Sequence, residues 1–465
     1  MNSKGKKGFD LIQIPNWRKL REESPTLTAN MKRARLEEFR QAAYTHLGKA
    51  HDATFELTDA ILLARNVYSL ADLSLSPVFR RKWPSIYEAI QDTRPERDKL
   101  MQLYIKQIPT EGRILLAGDH TAWSRPHAVT LKERTIEHTS TAITGNKPIT
   151  IGQGYTTIAW IPEDAGSWAL PLRHERITSW DNPIEKAVGQ LKKVCELIPY
   201  RPISVWDSEY GCAPFILKTS EIAADILVRL RSNLCLWGAP PAYEGSGRPR
   251  KHGAKFKLNE PSTWAEVTSV LEVNDPKLGR VKVSLWENLH FQKAAYRPMT
   301  LLRVERLDEN GNLRILKPLW LAWVGKQMPL LDKVWRLYLR RFTIDHWYRF
   351  LKQRLHWTVP KFRTPEQCEH WSDLMPLMSW ELWLARDIVA DNPLPWQKSM
   401  DKLTPGRVAQ AIGGVFAVIG TPTSPPKPRG KSSGWTPGKA RNRKMRYPIV
   451  KKTASKPRKE EQKSA

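Results

Sequence analysis

Cysteine is scarce. The 465-residue chain holds four, Cys195, Cys212, Cys235 and Cys368, widely scattered and with no Cys-x-x-Cys pair. That excludes a disulfide framework and a cysteine-based zinc module, and it fits a reducing cytosol. Long apolar runs are missing too. The longest, at 319–324 and 411–419, fall far short of the ~20 residues that span a bilayer, and residues 1–17 have lysines but no apolar core of signal-peptide length. A soluble protein with no membrane partner is expected. The phosphate-cradling pattern Gly-x4-Gly-Lys-[Ser/Thr] occurs nowhere, which argues against a helicase or NTPase. Acid is in deficit: 47 Asp+Glu face 75 Lys+Arg, a formal charge of +28. Such an excess implies a polyanionic partner, most commonly nucleic acid. The alternatives are charge that only aids solubility, or a ribosomal or membrane-surface protein.

What is present suffices for packed cores, with 41% hydrophobic residues and 20 tryptophans. Over residues 22–97 the apolar spacing is helical: Met31, Leu36, Phe39, Ala43 and Leu47 recur at mostly three- to five-residue steps, and a second run covers 55–70. This predicts an all-α N-terminal domain, residues 1–105, whose Lys32, Arg33, Arg35, Arg80, Arg81 and Lys82 face either DNA or water. The texture then changes. An apolar run at 113–118 ends at Asp119, further strands are expected at 148–161 and 167–173, a helix at 183–197, a strand at 203–206 delivering Asp207, and another strand at 223–230. Strands alternating with helices give an α/β layout with a mixed sheet over 106–235. Residues 236–327 lose the helical pattern and read as a β-rich insertion with strands at 268–273, 281–286, 300–306 and 315–324. A helix over 331–357 and another over 367–389 return the chain to its core, residues 328–420. The segment 421–465 carries 14 Lys+Arg against two Glu, with Pro, Ser and Gly. Such a composition builds no core, so a flexible tail that binds phosphate non-specifically is expected.

Two aspartates at strand tips are a weak signal, since such residues often only cap the next turn. The helix at 331–357 strengthens it. Tyr338, Arg341, Asp345 and Lys352 fall within a stripe of about 60° on one helical face. Leu337, Ile344, Tyr348, Leu351 and Leu355 form the adjoining apolar stripe. The plainer reading makes Arg341 and Asp345 a surface ion pair four residues apart. Glu209 points the same way as Asp207 on an extended chain, as an auxiliary ligand or as part of a turn. The run Gly245-Ser-Gly-Arg-Pro-Arg-Lys-His-Gly253 resembles an AT-hook, the arginine-bearing segment that lies in a narrow minor groove. Read instead as a flexible basic loop, it still brings Arg248, Arg250 and Lys251 to the DNA backbone.

The pattern Tyr338-x2-Arg341-x3-Asp345-x6-Lys352 resembles the Tyr-x2-Arg-x3-Glu-x6-Lys signature of one branch of the DDE transposases of bacterial insertion sequences, with the third acid one methylene shorter. Ala117-Gly-Asp-His-Thr121 and Val205-Trp-Asp-Ser-Glu-Tyr-Gly211 resemble the segments around that family's first and second acids. The 138 positions from Asp207 to Asp345 match the branch that inserts a β-domain there. The likeness covers residues 113–357. It implies a ribonuclease H-like core with the first acid on the first strand, the second just after the fourth and the third on a later helix. It also implies two Mg²⁺ or Mn²⁺ ions, roughly 4 Å apart, with Asp119 shared between them and Asp207 and Asp345 completing one site each. Tyr338, Arg341 and Lys352, joined by Arg340, Arg349 and Arg354, are then expected on DNA phosphates. The implied activity is that of a homodimeric transposase acting at the nucleoid, which pairs terminal inverted repeats, cleaves the 3′ phosphodiester and joins that end to target DNA. A nuclease without strand transfer and a decayed DNA-binding protein are the alternatives.

Overall fold

The computed structural model describes residues 25–139, 148–243, 245, 247–314, 317–428, 434, 436–440 and 443–451. Four helices come first: α1 (Pro25–Thr45), α2 (His51–Leu63), α3 (Pro84–Asp92) and α4 (Arg97–Ile105). The mixed sheet opens with β1 (Leu115–Ser124), β2 (Thr135–His138), β3 (Ile149–Trp160) and β4 (Leu170–Ile177), then α5 (Pro183–Cys195), β5 (Ile203–Trp206), α6 (Ala213–Lys218) and β6 (Asp225–Leu230). All four residues of β5 and all eight of β4 are buried, so strands covered on both faces lack the polar alternation of a half-exposed sheet. β1 runs antiparallel to β3 and parallel to β5, and β5 runs parallel to β6. β2 and β4 share the outer edge of β3, each on a different half.

The strands expected as an insertion do not stand apart. A small hairpin, β7 (Cys235–Trp237) with β8 (Lys255–Lys257), leads to β9 (Ser269–Asp275), β10 (Gly279–Leu289), β11 (Met299–Arg306) and β12 (Leu319–Val324). β12 pairs antiparallel with β6, so β9–β12 prolong the same sheet. The edge of β6 would otherwise present unpaired backbone groups.

The chain then forms α7 (Leu331–Leu339), α8 (Phe342–Gln353), α9 (Pro365–Ala385) and α10 (Pro405–Ile419). The single helix expected over 331–357 is thus interrupted at Arg340–Arg341. There the backbone tightens to i→i−3 bonds, Thr343 N to Arg340 O and Ile344 N to Arg341 O, and the Thr343 hydroxyl also donates to Arg340 O at 2.7 Å. α10 was not anticipated, although Thr404 caps it, Pro405 opens it and Gly420 at φ 66° closes it.

The N-terminal helices share their core with the last ones. α1 and α10 both pack on α9, and α9 lies on β4. The buried Arg40 of α1 donates to Asp59 of α2 and to Glu381 of α9, each at 2.8 Å. Tyr104 of α4 stacks on Trp380, ring centroids 5.7 Å apart. The boundary expected near residue 105 therefore separates sequence textures within one continuous core. In the basic tail, the Tyr447 and Val450 N–H groups donate to the Val129 and Arg134 carbonyls, laying 447–450 along the chain before β2. Among the described residues no helix is long and apolar enough to cross a membrane.

Candidate active site

The parallel register of β1 and β5 sets Gly118 opposite Trp206, so Asp119 within β1 and Asp207, the first residue beyond β5, each follow one member of that pair. Glycine at 118 is a packing requirement, because a Cβ there would lie 2.2–2.5 Å from three carbons of the Trp206 indole. That indole is fully buried and packed by Tyr210 and Phe215, with centroids at 4.7 and 4.8 Å. Beyond β5 the chain turns sharply, with Tyr210 N–H donating to Asp207 O at 3.0 Å and Ser208 N–H to Asp207 Oδ1 at 2.6 Å. Gly211 closes the turn where a Cβ would meet Arg229 O at 2.3 Å.

Asp119 is buried, and both of its carboxylate oxygens are engaged. Oδ1 accepts from His120 N–H at 2.8 Å and Oδ2 from Arg341 Nη1 at 2.9 Å. The Tyr348 hydroxyl of α8 reaches the Asp119 carbonyl oxygen (3.0 Å) and Thr157 Oγ1 (2.9 Å), and Thr157 in turn meets His174 Nδ1 at 2.8 Å. A polar chain thus runs from the core to the backbone beneath the acid. Asp345, in the first turn of α8, is exposed, with Oδ2 3.5 Å from Arg341 Nη2. The buried Arg341 guanidinium therefore bridges the first and third acids. The Tyr338 and Phe342 rings flank it, with centroids at 5.9 and 5.0 Å. Lys352 Nζ donates to Thr121 Oγ1 at 2.7 Å, two residues along β1 from Asp119.

Burial pushes the Asp119 carboxyl up to about 6, although Arg341 and His120 pull it down, so at neutral pH it is ionised and paired. Burial works against the charge on Arg341, but Asp119, Tyr338, Asp345 and Asp207 together hold its pKa above the ordinary value. Burial lowers Lys352. The donor chemistry suits a hard divalent cation, being carboxylate without sulfur, with a guanidinium already standing between Asp119 and Asp345 where their charge calls for a cation. Among the described residues, no three His, Cys, Asp or Glu side chains are gathered closely enough to grip an ion.

The other expected site residues divide. Glu209 is exposed on the turn with Oε2 3.1 Å from His120 Nδ1, and Arg349 is exposed on α8. Arg248, Arg250 and Lys251 are exposed on the connection from β7 to β8, on none of the elements that carry the acids. Tyr338 is 1% exposed and serves as a wall beside Arg341, not as a free phosphate contact. Arg354, grouped with the DNA track, instead clamps the Leu62 and Ala64 carbonyls at 2.8 and 2.6 Å, and Arg340 is held by Asp164 and Ile161 O. His120, Thr121, Thr157 and His174 went unnoticed as site residues. Only His120 and Thr121, inside the Ala117-Gly-Asp-His-Thr121 segment, carried a signal in the sequence. Tyr348 was read as packing alone, because periodicity reports the apolar face and not the reach of a hydroxyl.

A family model described as DDE superfamily endonuclease matches residues 42–287, more than half of the chain. The match takes in Asp119 and Asp207 and ends before Asp345. A comparison with curated proteins gives no match.

Proposed function

The chain belongs to the DDE superfamily endonucleases and so is an enzyme that acts on DNA; from that premise we propose a transposase of the insertion-sequence type, cutting and joining DNA through Asp119, Asp207 and Asp345. The observation that carries this reading is the Arg341 guanidinium that ties Asp119 of β1 to Asp345 of α8, beside the register that sets the residues before Asp119 and Asp207 opposite each other. The strand order β4-β3-β1-β5-β6, antiparallel on one side of β1 and parallel on the other, supports a ribonuclease H-like core. Asp119, Asp207 and Asp345 would hold two Mg²⁺ or Mn²⁺ ions, and Glu209 stands near enough in the turn to assist. When bound, such ions activate a water or 3′-hydroxyl and stabilise the leaving oxygen.

The chain's own residues do the positioning. Tyr348, braced by Thr157 and His174, fixes the β1 backbone at Asp119, and Lys352 holds the Thr121 hydroxyl two residues along. The exposed Arg349 on α8 and Arg248, Arg250 and Lys251 on the β7–β8 loop take DNA phosphates, and the +28 charge draws the duplex in. Two copies pair the terminal inverted repeats of the element at the nucleoid and carry the cleaved 3′ ends to target DNA.

The test uses purified protein, Mg²⁺ or Mn²⁺, and DNA carrying the presumed element ends, beside Asp119→Ala, Asp207→Ala and Asp345→Ala. Metal-dependent joining abolished by every substitution is the expected outcome. Cleavage that never leads to joining would reduce the protein to a nuclease, and activity that survives Asp345→Ala would remove the third acid from the site.

A further inference from the structure

We infer that Arg341 is a positioning residue that keeps the acid cluster occupied until a DNA phosphate draws it away, so that metal binding and DNA binding are coupled through one side chain. The inference rests on the proposed role of the three acids. Its observations are geometric. Nη1 lies 2.9 Å from Asp119 Oδ2 and Nη2 3.5 Å from Asp345 Oδ2, so one guanidinium spans two acids that arrive on different elements. Its side chain is 5% exposed, and aromatic rings on both flanks hold it in place. It sits in the break between α7 and α8, where the backbone tightens to i→i−3 bonds. Both oxygens of Asp119 are taken, one of them by this guanidinium.

Three carboxylates and one guanidinium leave a net negative charge that calls for further cations, yet a divalent ion entering beside the guanidinium meets repulsion and finds Asp119 Oδ2 already engaged. A phosphodiester offers Arg341 the bidentate anion geometry that its planar fork prefers. Once the guanidinium swings from the acids to the phosphate, Asp119 and Asp345 are left without a cation, and the affinity for metal rises. By linkage, bound metal raises the affinity for DNA by the same factor.

The experiment titrates Mn²⁺ into the full chain, following free Mn²⁺ by electron paramagnetic resonance, for wild type, Arg341→Gln, Arg341→Lys and Arg341→Gln with Asp119→Asn. Each is measured with and without a short DNA duplex, and thermal melting checks the fold. Without DNA, Arg341→Gln is expected to bind Mn²⁺ at least tenfold more tightly than wild type. Lysine keeps a charge that supports folding but cannot bridge two acids, so Arg341→Lys should fall between the two. Duplex should tighten Mn²⁺ binding in wild type far more than in Arg341→Gln. If folded Arg341→Gln and Arg341→Lys bind no more tightly than wild type while binding still depends on Asp119, the coupling is wrong and the triad stands. If Asp119→Asn leaves Mn²⁺ binding unchanged, the triad reading falls and this inference with it.

Discussion

Replacing Gly118 by alanine tests how the second acid is carried. The added methyl would sit 2.2–2.5 Å from three carbons of the Trp206 indole, where ordinary contact requires about 3.5–4 Å between carbons. More than 1 Å must therefore be found. The indole cannot supply it by turning, since it is fully buried and wedged by Tyr210 and Phe215. β1 cannot supply it freely either, because Gly118 is hydrogen-bonded between β3 and β5. Overpacking of a close-packed core costs roughly 1–3 kcal/mol, and with both partners held the upper end, about 3 kcal/mol, is expected. The displacement of Trp206 passes directly to Asp207, so DNA cleavage should fall by more than the loss of folded protein explains. The control is Gly189→Ala in α5, where nothing lies within 4 Å of the new Cβ and a helix-interior glycine is exchanged for the best helix former. A gain of about 0.5–1 kcal/mol is expected there. Urea unfolding midpoints of both variants measure the difference. A Gly118→Ala midpoint within about 0.5 kcal/mol of wild type would refute the packing argument and leave the glycine without a role in seating Asp207.

His174 gives a pH dependence of known sign. Burial lowers it from 6.5 to about 3, so below pH 6.5 the unfolded chain takes up a proton that the folded chain refuses. Stability from this group is full above 6.5 and is lost toward pH 3 at about 1.4 kcal/mol per pH unit. The unfolding midpoint of His174→Gln should fall less steeply between pH 6.5 and 5 than that of wild type, and equal slopes would count against the assignment. Arg40→Ala should destabilise the fold by about 3–5 kcal/mol, because it strands the buried carboxylates of Asp59 and Glu381. A loss under about 1 kcal/mol in a melting curve would mean that the α1–α2–α9 junction does not depend on this ion pair.

The local signals were legible because they obey short-range rules. The strand at 203–206 matches β5 and puts Asp207 at its tip as expected, whereas β1 runs on to Ser124, so Asp119 lies in mid-strand and not at the tip that the end of the apolar run suggested. The spacing Tyr338-Arg341-Asp345-Lys352 resembles a DDE transposase signature, and the DDE endonuclease model matches the chain upstream of it, over residues 42–287. Thr404-Pro405 and Gly420 were equally legible as helix signals around α10.

Long-range partners were not legible. The continuous apolar run of β12 says that the strand is buried, not that its backbone will close the open edge of β6 and carry the insertion strands into the core sheet. Helical periodicity in α1 predicts an apolar stripe, not that α9, more than 300 residues away, will cover it and bring Glu381 to Arg40. At the site, a wheel drawn on one straight helix placed Tyr338 and Arg341 on an open face, whereas the break at Arg340–Arg341 buries the tyrosine and turns the arginine onto Asp119. Sequence by itself determined most of the elements, their apolar faces and the likeness to the family, since each is written in spacings of a few residues. Tertiary structure alone decided which elements share a core and which cation stands among the acids, since both depend on surfaces that meet only when distant segments of the chain pack together.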